Sequence, residues 1–185
     1  RFKRIKVPSG EINNFIYLKK LSKFKIPIII STGGSKLKEV EKCLNFLVSK
    51  NQISLDKITL LQCNSEYPTP FDDVNLRVME TLKKEFRTKV GISDHSLGIE
   101  VPIAATALGA SIIEKHITLN NRLIGPDHKA SLHFKDFKIM VDKIRNIEKS
   151  LGSGVKDITQ SEKKNIPLIR KSIFAKTSIK KGDLF

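Results

Sequence analysis

The sequence predicts an α/β fold: the C-terminal part of a (β/α)8 barrel with about five strand–helix units, then a linker and the start of a second small unit. Three observations predict it. Short β-branched runs alternate with amphipathic stretches of helical length, the pattern of parallel βα units. Polar and ionisable residues recur at the C-terminal end of each strand, the face on which barrels build their sites. After Gly152 the apolar periodicity stops and a polar, lysine-rich segment takes over.

Residues 2–7 read as the first strand and 13–24 as its helix. Residues 26–30 form the second strand, followed by a helix over 35–50 in which Leu37, Val40, Leu44, Leu47 and Val48 share one face. Residues 58–62 and 72–86 make the third unit, 90–93 and 100–108 the fourth, and 111–116 and 134–151 the fifth, with a long loop inside the last. Eight units close a barrel, so about three more are expected ahead of Arg1. The expected organisation is a partial barrel over 1–151, a linker over 152–171, and the opening of a second domain over 172–185. In that last segment 172–175 reads as a strand and 180–183 as a turn.

The formal charge of +15 raises nucleic acid, a membrane surface and small anions as partners. The lysines are spread over helix faces (Lys19, Lys20, Lys23, Lys83, Lys84, Lys138 and Lys143 among them), which favours a solvated surface. With 6% aromatics and no Trp there is no stacking platform for bases, so no nucleic-acid partner is expected. No apolar run approaches the roughly 20 residues of a membrane span, so no membrane partner is expected either. Cys43 and Cys63 supply neither a disulfide framework nor a metal-binding spacing, and a reducing cytoplasm is the expected compartment. Both read as small buried hydrophobes.

The chemistry concentrates at strand ends. Ser93-Asp94-His95 closes one strand and Glu114-Lys115-His116 the next. Neighbouring strands run about 4.8 Å apart, and side chains alternate faces, so His95 and His116 point the same way at matching depth. Two imidazoles so placed either share one metal ion, with positions left open for substrate and water, or simply hydrogen-bond at their strand ends. Lys6, Ser9, Ser31, Thr32, Ser65 and Tyr67 fall at or just past the first three strand ends, where their donors can converge on an anion. Asp127, in the long loop after the fifth strand, either accepts bonds from sugar hydroxyls or caps a turn after Gly125-Pro126.

Six segments occur in order: Lys6-Val7-Pro8-Ser9-Gly10-Glu11, Ile30-Ser31-Thr32-Gly33, Leu61-Gln62-Cys63-Asn64-Ser65-Glu66-Tyr67-Pro68, Gly91-Ile92-Ser93-Asp94-His95, Ile113-Glu114-Lys115-His116 and Gly125-Pro126-Asp127-His128. Together they resemble the N-acetylneuraminate (sialic acid) synthase family, which includes the legionaminate and pseudaminate synthases. The resemblance implies a TIM barrel joined to a small antifreeze-like domain, in a domain-swapped homodimer. It implies condensation of phosphoenolpyruvate with an N-acylated amino sugar, N-acetylmannosamine or a 2,4-diacetamido-6-deoxy analogue. By resemblance His95 and His116 hold a divalent metal, Mn²⁺ or Mg²⁺. Lys6, Ser9, Ser31, Ser65, Tyr67 and Ser93 hold phosphoenolpyruvate, and Glu11, Tyr67 and Asp127 approach the sugar. Glu11 is a proton acceptor or a hydroxyl anchor. The family's N-terminal glutamate and lysine and its capping-domain arginine lie outside this chain, so the chain alone is expected to show little or no activity. Two other readings stand beside this one. A metal-dependent barrel hydrolase would need a third protein ligand, and a basic nucleic-acid-binding fragment would bind with steep salt dependence.

Overall fold

The computed structural model describes residues 2–184; Arg1 and Phe185, the outermost residues of the first and last expected segments, lie outside the described residues. The chain divides into two compact units, Arg1–Leu151 and Gly152–Phe185.

The first unit is built on one parallel sheet, in spatial order β1 (Ile5–Val7), β2 (Ile28–Ser31), β3 (Ile58–Cys63), β4 (Lys89–Asp94) and β5 (Ile113–Lys115). Each strand is followed by helix: α1 (Phe15–Ser22), α2 (Leu37–Asn45), the pair α3 (Phe71–Val74) and α4 (Val78–Phe86), α5 (Glu100–Ala107), and α6 (Phe134–Leu151). The sheet is strongly curled. Five strands laid flat would put β1 and β5 about 19 Å apart, beyond the joint reach of a lysine and a glutamate. Yet Lys6 on β1 and Glu114 on β5 form an ion pair of 2.8 Å. The result is a curled parallel half-barrel.

Period-two alternation divides the strand residues between two faces. Val7, Ile28, Ile30, Ile58, Leu60, Val90 and Ile92 pack outward against Leu18, Val40, Leu44, Leu47, Met79, Leu82 and Ala105 of the helices. Cys43 sits in that layer, where burial pushes its thiol up to about 12 and keeps it protonated. Lys6, Ser31, Cys63, Ser93 and Glu114 alternate with the outward set and line the concave face. Gly91 belongs to the concave series. A Cβ there would collide with the Ile112 carbonyl oxygen and stand 2.8 Å from Leu61 Cδ2. Gly91→Ala is therefore expected to lower stability by about 1–3 kcal/mol, read as a drop in thermal midpoint, because strand backbone cannot step aside as a side-chain tip can.

Local departures from the expected elements have local causes. The helix expected over 72–86 is broken into α3 and α4 by Asn75, which adopts the left-handed conformation (φ 48°) that asparagine tolerates. The last part of the 35–50 helix widens into a π-type turn over Phe46–Lys50. Past β5, the chain forms β6 (Ile117–Thr118), which pairs in parallel with β7 (Leu132–His133). This two-stranded ribbon brackets the long loop, and Asn121 ties the loop's far end by donating to the His128 carbonyl (2.9 Å) and the Ser131 carbonyl (2.6 Å).

The second unit holds α7 (Ile166–Ile169), a single turn with Pro167 near its start, where a missing N–H costs nothing. The strand expected over 172–175 is not formed. A strand needs a ladder partner, and among the described residues of this unit no other strand is present to supply one. Among the described residues no helix is long and apolar enough to cross a membrane.

Candidate active site

The C-terminal end of the concave face gathers Lys6, Ser93, Glu114, His95, His116 and Tyr67. At its centre is Glu114, whose Oε1 accepts from Lys6 Nζ (2.8 Å) and Ser93 Oγ (2.6 Å). Burial alone would raise the Glu114 carboxyl. The hydrogen bonds from Lys6 and Ser93, with the lysine's charge, outweigh it and hold the group below its ordinary value, so it is ionised at neutral pH. A carboxyl depressed in the folded state stabilises the fold above its unfolded value near 4.5 and loses that contribution as pH falls through the lower folded value. Glu114→Gln is expected to remove this component. Its thermal midpoint should fall less steeply than that of the unmodified protein as the pH is taken down from 4.5.

His95 and His116 stand with ring centroids 5.4 Å apart, nearly perpendicular. His95 is buried; its Nδ1 meets the Asn64 carbonyl oxygen at 2.7 Å, which fixes that nitrogen as the donor and leaves the lone pair on Nε2. Burial is the main cause that keeps the His95 ring below its ordinary pKa, and the nearby His116 adds to it, so His95 is neutral as a ligand must be. An ion about 2.1 Å from a nitrogen of each ring would put the two centroids roughly 4.5–5.3 Å apart, close to the observed separation. The donor set thus fits one shared divalent ion. Among the described residues no cluster of three or more His, Cys, Asp or Glu converges as a full ligand set.

Tyr67 lies over this pair, stacked on His95 at 3.9 Å and edge-on to His116 at 5.3 Å. Burial, and secondarily the negative groups around it, push its hydroxyl above the ordinary tyrosine value, so it stays a donor. The long loop brings Asp127 Oδ2 to 3.8 Å from His116 Nδ1, at the mouth of the site.

Ser9 joins three strand ends: its Oγ accepts from the Gly33 N–H (3.0 Å) and donates to Cys63 Sγ (3.7 Å). Gly33 permits that approach, since a Cβ there would come within 2.9 Å of Ser9 Oγ. Ser31, 2% exposed, has an Oγ with no protein partner, a donor free for a ligand. Cys63 is half-buried beside Ser9 rather than in the apolar core the sequence suggested, because β3 turns it to the concave face in register with Ser93.

Two expected residues sit apart from this group. Glu11 accepts from Asn14 Nδ2 (2.7 Å) on the turn leading into α1. Ser65 is exposed and borders an outer groove with Thr32, Ser35 and Asn64 near the start of α2. Glu114, for its part, received no role from the sequence, although period-two alternation places it on the same face as His116. The Asn64 carbonyl left no sequence signal at all, since any residue carries one.

Comparison with known proteins bears on the family and the fold. The NeuB family model matches residues 1–156. The chain is 51% identical to the N,N'-diacetyllegionaminic acid synthase of Campylobacter jejuni, over 99% of this chain and 54% of that protein. It is 45% identical to the enzyme of the same name from Legionella pneumophila, over 97% of this chain and 51% of the other. It therefore spans about half the length of these relatives. Among solved structures, the N-acetylneuraminic acid (sialic acid) synthetase of Leptospira borgpetersenii superposes with a TM-score of 0.79 at 34% identity, covering 90% of this chain and 57% of that one. With the family model matched over residues 1–156 and the half-barrel shared with a solved sialic acid synthetase, the chain belongs to the NeuB family.

Proposed function

We propose that this chain supplies much of the active site of a sialic-type acid synthase, which joins phosphoenolpyruvate to an N-acylated amino sugar and releases phosphate. The observation that carries the reading is the concave face itself. One lysine, several hydroxyl donors and two histidines, drawn from strands β1 to β5, converge where a small anion and a metal would meet.

The chain's residues divide the work by charge. Lys6 Nζ and the free Ser31 hydroxyl offer a cation and a donor to the phosphate and carboxylate of phosphoenolpyruvate, and Ser9 and Ser93 would join them by turning their single protons from Cys63 and Glu114 to the anion. Ser65 belongs to this set by resemblance and would need its loop to turn inward. Glu114 stays ionised and holds Lys6 and Ser93 in place. Tyr67 donates from above the histidines and Asp127 receives sugar hydroxyls; Glu11 joins Asp127 by resemblance, and only if the sugar extends beyond the cluster to the turn before α1. His95 and His116 would hold a divalent ion, Mn²⁺ or Mg²⁺, which would supply Lewis-acid polarisation of the open-chain sugar's aldehyde. The enol π pair of phosphoenolpyruvate forms a bond from its carbon 3 to the aldehyde carbon, and the aldehyde oxygen ends as a hydroxyl. Water adds at carbon 2, its two protons ending on the new hydroxyl and on the phosphate, which departs with cleavage of its bond to carbon 2 and leaves the 2-keto acid. Holding both reactants in line can contribute roughly 7–11 kcal/mol at best.

The whole protein would carry the missing barrel units, an antifreeze-like domain opening within 172–185 after a linker over 152–171, and a homodimer in the cytoplasm. Both relatives named above are N,N'-diacetyllegionaminic acid synthases, which favours a 2,4-diacetamido-6-deoxy sugar over N-acetylmannosamine. The test gives the full-length protein phosphoenolpyruvate, Mn²⁺ and each sugar separately, and weighs the product by mass spectrometry. The diacetamido sugar should give the nine-carbon acid at the higher kcat/KM; preference for N-acetylmannosamine would reverse the assignment.

A further inference from the structure

Behind the two histidines, with side chains on the opposite face of the sheet by strand alternation, lies an ion pair that the reaction itself does not use. Lys115 Nζ stands 2.6 Å from Asp94 Oδ2, and both side chains are 1% exposed. Each member of the pair has a further partner: Asp94 Oδ1 accepts from the Ser96 N–H (2.9 Å) and Ser96 Oγ (2.7 Å), and Lys115 also donates to the Ser96 carbonyl (2.5 Å). Burying two charges is costly, and an apolar pair of similar volume often stabilises a fold at least as well. Stability is thus a poor reason for the pair to be here, and geometry is a better one.

The position of the pair says which geometry. Asp94 and Lys115 are the last partners in the register between β4 and β5. One residue further on come His95 and His116, whose carbonyls turn to other segments, to the Thr69 N–H (3.0 Å) and the Leu132 N–H (2.9 Å). The two strands separate at the point where their imidazoles must stay together. Asp94 and Lys115 tie them there, and the hold on Ser96 continues through the residue after His95.

We propose that the Asp94–Lys115 pair is a positioning device that sets the separation of His95 and His116 and thereby their affinity for a divalent ion. It rests on the metal reading of those histidines. In the full-length protein, Mn²⁺ binding is titrated by electron paramagnetic resonance alongside thermal unfolding. The apolar double variant Asp94→Leu/Lys115→Met should fold and bind Mn²⁺ about 10–100-fold more weakly, the usual cost of disturbing the support of a ligand. Ser96→Ala, which removes one donor from Asp94 and keeps the ion pair, should weaken binding by about threefold and serves if the double variant does not fold. Unchanged affinity in whichever of these folds overturns the positioning role. His95→Ala separates the two ideas: Mn²⁺ binding that survives this change overturns the metal reading and the positioning role together.

Discussion

His95→Ala and His116→Ala should each lower the rate of condensation on the order of 10³-fold in the full-length protein. A metal that polarises a carbonyl contributes several kcal/mol of charge stabilisation, and each 1.4 kcal/mol is a factor of ten. The loss should appear in kcat and kcat/KM together, because the aldehyde oxygen gains charge only as the new bond forms. His95→Ala is expected to be the more severe. Its ring is buried and oriented by the Asn64 carbonyl, whereas His116 is partly exposed and faces Asp127. Steady-state kinetics with saturating Mn²⁺ would check this. A loss confined to KM for phosphoenolpyruvate would instead place the histidines at the anion.

Lys6→Met is the second large effect, and it should have the opposite kinetic signature. A charge-assisted bond is worth about 1.5–3 kcal/mol, so KM for phosphoenolpyruvate should rise about 10–150-fold with a smaller change in kcat. The carboxylate and phosphate are charged before the reaction begins, so what is lost is largely binding. The change also strips Glu114 of its cation in a half-buried setting. Lys6→Arg would restore charge without restoring the reach of a single ammonium, and partial recovery is expected. If Lys6→Met left KM unchanged, Lys6 would serve Glu114 alone.

Most of this site was legible because strands reduce it to arithmetic. Once Ile58–Cys63 and Lys89–Asp94 are strands, period two alone puts Ser93 on the concave face, and one more step places His95. The paired histidines follow from two consecutive strand ends. What was not legible depends on curvature and on backbone. No local pattern tells Lys6 that it will meet Glu114, 108 residues on, because that contact exists only when the sheet curls. The orientation of His95 comes from a carbonyl, which has no residue signature. The β6–β7 ribbon consists of two-residue strands, too short for any periodicity to show. Ser65 and Glu11 were matched by motif and not by strand phase, and they are the two residues that stand outside the cluster.

Condensation of phosphoenolpyruvate with an amino sugar at this face of the full-length protein should depend on His95, His116 and a divalent ion together. Its most direct test is phosphate release from phosphoenolpyruvate by the full-length protein, with and without the 2,4-diacetamido-6-deoxy sugar, in Mn²⁺ and after its removal by a chelator. The account predicts phosphate only when sugar and metal are both present, matched mole for mole by a nine-carbon acid and absent in the His95→Ala/His116→Ala double variant. Phosphate released without sugar, or an equal yield from the double variant, would contradict it.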